Sequence, residues 1–132
     1  MSTYFYKALI KGNLAEEQVA QWYEGQGYIV ERIGGYRLAI DLLVWNTKEE
    51  FGVQVKLRSK DTLEEKHPTC GTLCPFFKPK EYQGILDIIQ EDKLPVVLAV
   101  TNGKEIRIIE IMVWDGGLRV SHAHKKETLP CI

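Results

Sequence analysis

A carboxylate, an amide and an amine lie close together in the stretch Leu38 to Arg58, LAIDLLVWNTKEEFGVQVKLR. Asp41 interrupts a run that is otherwise apolar: Leu38, Ala39, Ile40, Leu42, Leu43, Val44 and Trp45. A charge inside a core strand is costly unless it is paired or holds a metal. The run that follows alternates, with Phe51, Val53, Val55 and Leu57 against Gly52, Gln54, Lys56 and Arg58. Successive strand side chains point to opposite faces, so this reads as one apolar face and one polar, cationic face. Pairing Asn46 with Glu49 around a Thr47-Lys48 turn puts Asp41 opposite Gln54, and a two-residue shift puts it opposite Lys56. Either register gathers the three on one face, whereas a one-residue slip separates them. Opposed side chains lie about 5 Å apart at Cβ, so two oxygen ligands can share a divalent cation with a lysine beside them. The simpler competing account is an Asp41–Lys56 ion pair across the hairpin, with no metal.

The elements that would position these groups can be read around them. Gly12-Asn13 offers a helix cap, and Leu14 to Gln26 carries Ala15, Val19, Trp22 and Tyr23 at helical spacing. Glu16 and Glu17 fall in its first turn; Glu17 reads as solvated, whereas Glu16 borders the apolar stripe and can lean toward a sheet. Gly25 and Gly27 close the helix, and Tyr28-Ile29-Val30 begins a strand. Downstream, Glu81 to Asp92 reads as a helix buried through Tyr82, Ile85, Leu86, Ile88 and Ile89. Val96 to Thr101 is a strand turning at Asn102-Gly103. Ile106 to Val113 returns, Asp115-Gly116-Gly117 turns again, and Leu118 to Val120 is a short last strand. The tail from Ser121 reads as polar and loosely held. The expected fold class is α/β, a mixed β-sheet flanked by helices, with all 132 residues in one domain.

Composition narrows the function. The chain is 45% hydrophobic and 27% charged, with net charge −1, so no bulk basic field recruits nucleic acid or an anionic membrane. A DNA-binding role must therefore rest on a local patch. Tyr36, Arg37, Arg58, Lys60 and Lys66 form the best one, diluted by Asp61, Glu64 and Glu65. No apolar run approaches the ~20 residues of a membrane span. The opening MSTYFYKALIKG lacks the features of a signal peptide, and three cysteines make no disulfide framework, so the expectation is a cytosolic, reducing compartment. His67, Cys70 and Cys74, with His122, His124 or Cys131 as a fourth ligand, offer a zinc reading, but their spacing is irregular for a structural zinc site. A loop with incidental thiols is the simpler account of that segment, and Cys70 as a nucleophile has the same weakness.

The order Glu16, Asp41, Gln54-Val55-Lys56 resembles the active-site pattern of the PD-(D/E)XK nucleases. That superfamily includes restriction enzymes, archaeal Holliday-junction resolvases and some intron-encoded homing endonucleases. Lys11-Gly12-Asn13-Leu14-Ala15-Glu16 is similar to the first helix of the resolvases, and Phe77 to Val100 resembles their elements after the catalytic lysine. The chain departs from the pattern at Ile40, where proline is common, and at Gln54, where an acidic ligand is usual. Some homing endonucleases carry a glutamine there.

The resemblance implies a restriction-endonuclease-like fold and a metal-dependent DNA endonuclease, either site-specific or junction-resolving. It implies Mg²⁺, with Mn²⁺ as substitute, held by Asp41, the Gln54 amide oxygen and the Val55 carbonyl, with Glu16 assisting at the ion. Gln54 would bind less tightly than a carboxylate, because a hard cation is held by ligand charge. Lys56 would orient the attacking water and offset charge developing in the transition state. Tyr36, Arg37, Arg58 and Lys60 would contact phosphates of double-stranded or branched DNA. Cutting both strands implies a homodimer or higher symmetric assembly. Two other classes stay open: a nuclease fold that binds nucleic acid or protein without cutting, and a cysteine/histidine zinc module with the hairpin as scaffold.

Overall fold

The computed structural model describes residues 3–37, 39–58 and 77–130, with side chains from Lys11 onward. Among the described residues, two antiparallel meanders meet at a single parallel junction. The first is β1 (Ile29–Tyr36), β2 (Ile40–Trp45) and β3 (Glu50–Leu57). The second is β4 (Val96–Thr101), β5 (Glu105–Trp114) and β6 (Gly117–Ala123), with the short β7 (Glu127–Thr128) also on β5. β3 and β4 run parallel, with α2 (Pro79–Asp87) lying between them in the chain. The sheet order is β1-β2-β3-β4-β5-β6. The helix α1 (Thr3–Glu24) covers one face and α2 the other.

Each helix covers its own core. Under α1 lie Val19, Tyr23, Leu42, Val53 and Ile106; under α2 lie Ile85, Ile88, Leu98, Ile109 and Leu118. Ile85 and Ile88 are fully enclosed, and burying each such side chain stabilises the fold by roughly 1.5–3 kcal/mol. α2 continues as a π-helical turn, Ile88–Asp92, and stops at Lys93 in the left-handed region.

The expected hairpin is present, in the first of the two expected registers. Leu42 pairs with Val53, Trp45 with Glu50, and the Asn46 N–H donates to the Glu49 carbonyl at 2.9 Å. Two expectations change. α1 begins at Thr3, so Gly12 and Asn13 lie inside the helix; tertiary packing of the following turns outweighs the local capping signal. The tail is held: Ser121 to Ala123 extend β6, β7 pairs with β5, and Leu129 is buried with its N–H on the Lys104 carbonyl. On the polar face of β3, Gly52 and Gln54 are buried on the α2 side of the sheet while Lys56 and Arg58 stay partly exposed. No helix among the described residues is long and apolar enough to cross a membrane.

Candidate active site

The β2–β3 ladder ends one step before the expected Asp41–Gln54 pair. At that point the Asp41 side chain replaces the missing strand partner: its Oδ2 accepts the Val55 N–H at 2.9 Å. Asp41, Gln54 and Glu81 line one open depression of about 680 Å³, together with Gly34, Lys78, Pro79 and Lys80. Gly34 adopts φ +66, a conformation that suits glycine, within the bulged part of β1 that turns toward β2. Gln54 is only 5% exposed, and what is exposed opens onto this depression.

Lys56 is not paired with Asp41. Its Nζ donates to Glu81 Oε2 at 2.7 Å, and Glu81 Oε1 accepts the N–H of Lys78 at 2.9 Å. Glu81 thus caps the start of α2 and fixes the lysine at once. Burial alone would push its carboxyl up, but the Lys56 and Lys78 hydrogen bonds, with both lysine charges, outweigh that and hold it below its ordinary value. The sequence signal for Glu81 was an acid three residues into a helix opened by Lys-Pro. Nothing local showed that Lys56 would meet it.

Asp41 moves the other way. Burial pushes it up to about 6, against the Val55 N–H and the Lys56 charge, with Glu16 and Glu81 adding to the rise. Glu16 therefore reaches Asp41 electrostatically from α1, and its Oε1 accepts from Arg32 on β1 at 3.4 Å. Glu17 is exposed, as expected.

The donor set fits a hard divalent cation. It is all oxygen: the Asp41 carboxylate, the Glu16 carboxylate whose charge reaches it, and the Gln54 amide oxygen on the open depression. Val55's backbone adjoins the Asp41 carboxylate through the hydrogen bond already described.

The expected DNA contacts are placed less favourably. The Tyr36 hydroxyl donates to Asp92 at 3.1 Å, and Arg37 bridges Glu91 at 2.9 Å and Asp92 at 3.2 Å. Both tie the β1–β2 turn to the end of α2, so a phosphate would compete with two carboxylates for them. Arg58 donates to the Leu57 carbonyl at 2.9 Å. Lys60, Lys66, His67, Cys70, Cys74 and Cys131 lie outside the described residues. Lys78 and Lys80, exposed on the rim of the depression, are cations that the sequence reading did not single out.

No protein-family model matches the sequence, and no curated protein matches it. Among solved structures the chain is similar to Hjc of Archaeoglobus fulgidus, a Holliday junction resolvase from an archaeal hyperthermophile. The TM-score is 0.55 at 13% identity, covering 83% of this chain and 82% of that one. At that identity the likeness is one of fold. The mixed α/β, restriction-endonuclease-like architecture expected from the Glu16, Asp41 and Gln54-Val55-Lys56 pattern is the one the chain adopts.

Proposed function

We propose that the chain is a metal-dependent DNA endonuclease, a single nuclease-like domain acting on branched DNA as a symmetric homo-oligomer. One observation carries the reading. Asp41, Gln54 and Glu81 open onto one depression, with Glu16 within electrostatic reach and Lys56 anchored beside them. Asp41, Gln54, the Val55 carbonyl and Glu16 would hold Mg²⁺ or Mn²⁺. Such an ion would supply Lewis acidity toward a phosphodiester and a nucleophile at neutral pH.

The chain's own residues do the rest. Glu81 holds Lys56 in place, so the amine is already oriented where negative charge develops on the phosphate. Burial around Asp41 lowers the local dielectric and strengthens each of these interactions. Lys78 and Lys80 take the flanking phosphates, which position the duplex without reading its sequence. Branched DNA is preferred as substrate because the solved structure it resembles is a resolvase. The link to homing endonucleases rests on Gln54-Val55-Lys56 alone.

The test is cleavage of a four-way junction in Mg²⁺ or Mn²⁺ against EDTA, with wild type beside Lys56→Ala. Wild type should cut only with metal, and the variant should be slower by about 10²–10³-fold, the usual loss of an electrostatic stabiliser. Equal cutting by both proteins would remove Lys56 from the chemistry. Gln54→Glu should tighten Mg²⁺ binding about tenfold or more, because ligand charge sets affinity for a hard cation; calorimetric titration reads this directly. A second reading follows from the glutamine itself. If wild type and Gln54→Glu both bind the junction and neither cuts it, the chain is a binding module on a nuclease fold.

A further inference from the structure

Away from the Asp41 depression, β6 contains one residue more than its partner. Leu118 pairs with Val113 and Val120 with Ile111, but the next pair is His122 with Glu110. The extra residue, Ser121, is a β-bulge, and a bulge resets which side chains face which way. Unbroken alternation would carry His122 and His124 to the face of Leu118 and Val120, within the α2 core. The bulge instead puts Ala123 on that face and both histidines on the face of Glu110, Ile108 and Ile106, which α1 covers only in part.

The result is a compact group. His124 Nε2 lies 2.6 Å from Glu110 Oε2, and the two imidazoles meet edge to face at 4.4 Å between centroids. One donor atom from each of Glu110, His122 and His124 lies within 4.8 Å of the other two. His124 is anchored by its N–H on the Ile108 carbonyl at 2.9 Å. The neighbouring lysine, Lys126, turns to Glu105 at 3.9 Å. A cavity of about 330 Å³ adjoins the group, with Glu49, Glu50, Glu110 and Glu127 in its wall and no lysine or arginine there among the described residues. Its charge favours a cation.

We propose that Glu110, His122 and His124 form a zinc-class metal site that staples β5 to β6 at the bulge. Tetrahedral Zn²⁺ with bonds of about 2.0–2.1 Å needs donors roughly 3.3 Å apart, which side-chain rotation at this exposed position can reach. Two imidazoles and one carboxylate suit Zn²⁺ and its d-block neighbours and disfavour Mg²⁺. They leave a fourth position for water or an external ligand. The site is chemically distinct from the all-oxygen set around Asp41, so the two select different ions.

The experiment is titration of the full chain with Zn²⁺ alone by calorimetry, and with Co²⁺ by absorption. Four proteins are compared: wild type, His122→Ala/His124→Ala, Glu110→Gln, and Cys70→Ser/Cys74→Ser. Wild type and the cysteine variant should each bind one equivalent, with a cobalt spectrum free of thiolate charge transfer. The double-histidine variant should bind about 100-fold more weakly and Glu110→Gln about tenfold. Glu110→Gln, which keeps a hydrogen-bond acceptor opposite His124, guards against loss of binding through local unfolding. Wild-type affinity in the histidine variant, loss of binding in the cysteine variant, or no zinc on the wild type would each overturn the proposal. Mg²⁺-dependent cleavage should be the same in the histidine variant, which separates this site from the proposed nuclease centre.

Discussion

Asp41→Asn should abolish metal-dependent cleavage and, at neutral pH in EDTA, make the protein more stable. The activity loss should be about 10³-fold or more, since the change removes the charged ligand that holds a catalytic ion. The stability gain follows from the sign of the pKa shift. Burial, with Glu16 and Glu81 nearby, raises Asp41 in the folded chain to about 6 from an ordinary 3.8. Between those values the native state holds more protons than the unfolded state, so wild-type stability from this group falls as pH rises through the window. Above pH 6 the whole penalty is present. A neutral isostere escapes it and still accepts the Val55 N–H, for a gain on the order of 1–2 kcal/mol. Urea denaturation of both proteins at pH 4 and pH 7.5 reads the effect: the curves should converge at the lower pH and separate at the higher. If the variant were instead the weaker protein at pH 7.5, Asp41 would be a structural hydrogen-bond acceptor and the metal reading would lose its main support. Mg²⁺ should stabilise the wild type and leave the variant unmoved.

Gly84→Ala should be the most damaging single-methyl change in the described chain, although alanine is the better helix former. A Cβ at Gly84 would sit 2.4 Å from the Arg37 carbonyl oxygen and 2.9 Å from the Ala39 Cβ. The first is backbone, and Arg37 is itself clamped to Glu91 and Asp92, so neither side can yield cheaply. Helix propensity returns at most about 1 kcal/mol, while forcing the helix outward strains or opens a packed layer at about 1–3 kcal/mol or more. Ile85 and Ile88 are fully buried in that layer, so the clash should win by roughly 2 kcal/mol net. The midpoint in urea should fall accordingly, and cleavage should slow about tenfold because Glu81, one turn earlier, would carry Lys56 with it. A stabilised variant would mean that α2 does not press on the turn leading into Asp41.

Local signals were enough for much of this molecule. Alternation in β3 narrowed the hairpin to two registers of the same parity, because a one-residue slip would turn an apolar face to the polar side, and the structure selected the one with Leu42 opposite Val53. The turn residues Asn102-Gly103 and Asp115-Gly116 marked the second meander, since positive φ is tolerated there. Asp41 stood out because a charge in an apolar run needs a reason.

What the sequence could not determine depends on contacts between distant elements. Alternation in β3 showed that its two faces differ, not what covers each one; α2 lies over the polar face. Lys56 was set against Asp41, its neighbour across the hairpin, yet its partner is Glu81, brought over the sheet by the connection between β3 and β4. Arg37 looked available to DNA until the end of α2 placed Glu91 and Asp92 beside it. His122 and His124 entered the sequence reading only as alternative fourth ligands to His67, Cys70 and Cys74, and only the extra residue in β6, visible solely in how that strand pairs with β5, turned them toward Glu110. Periodicity is a property of one strand or helix, whereas a site is made where several converge, and that convergence is decided by packing.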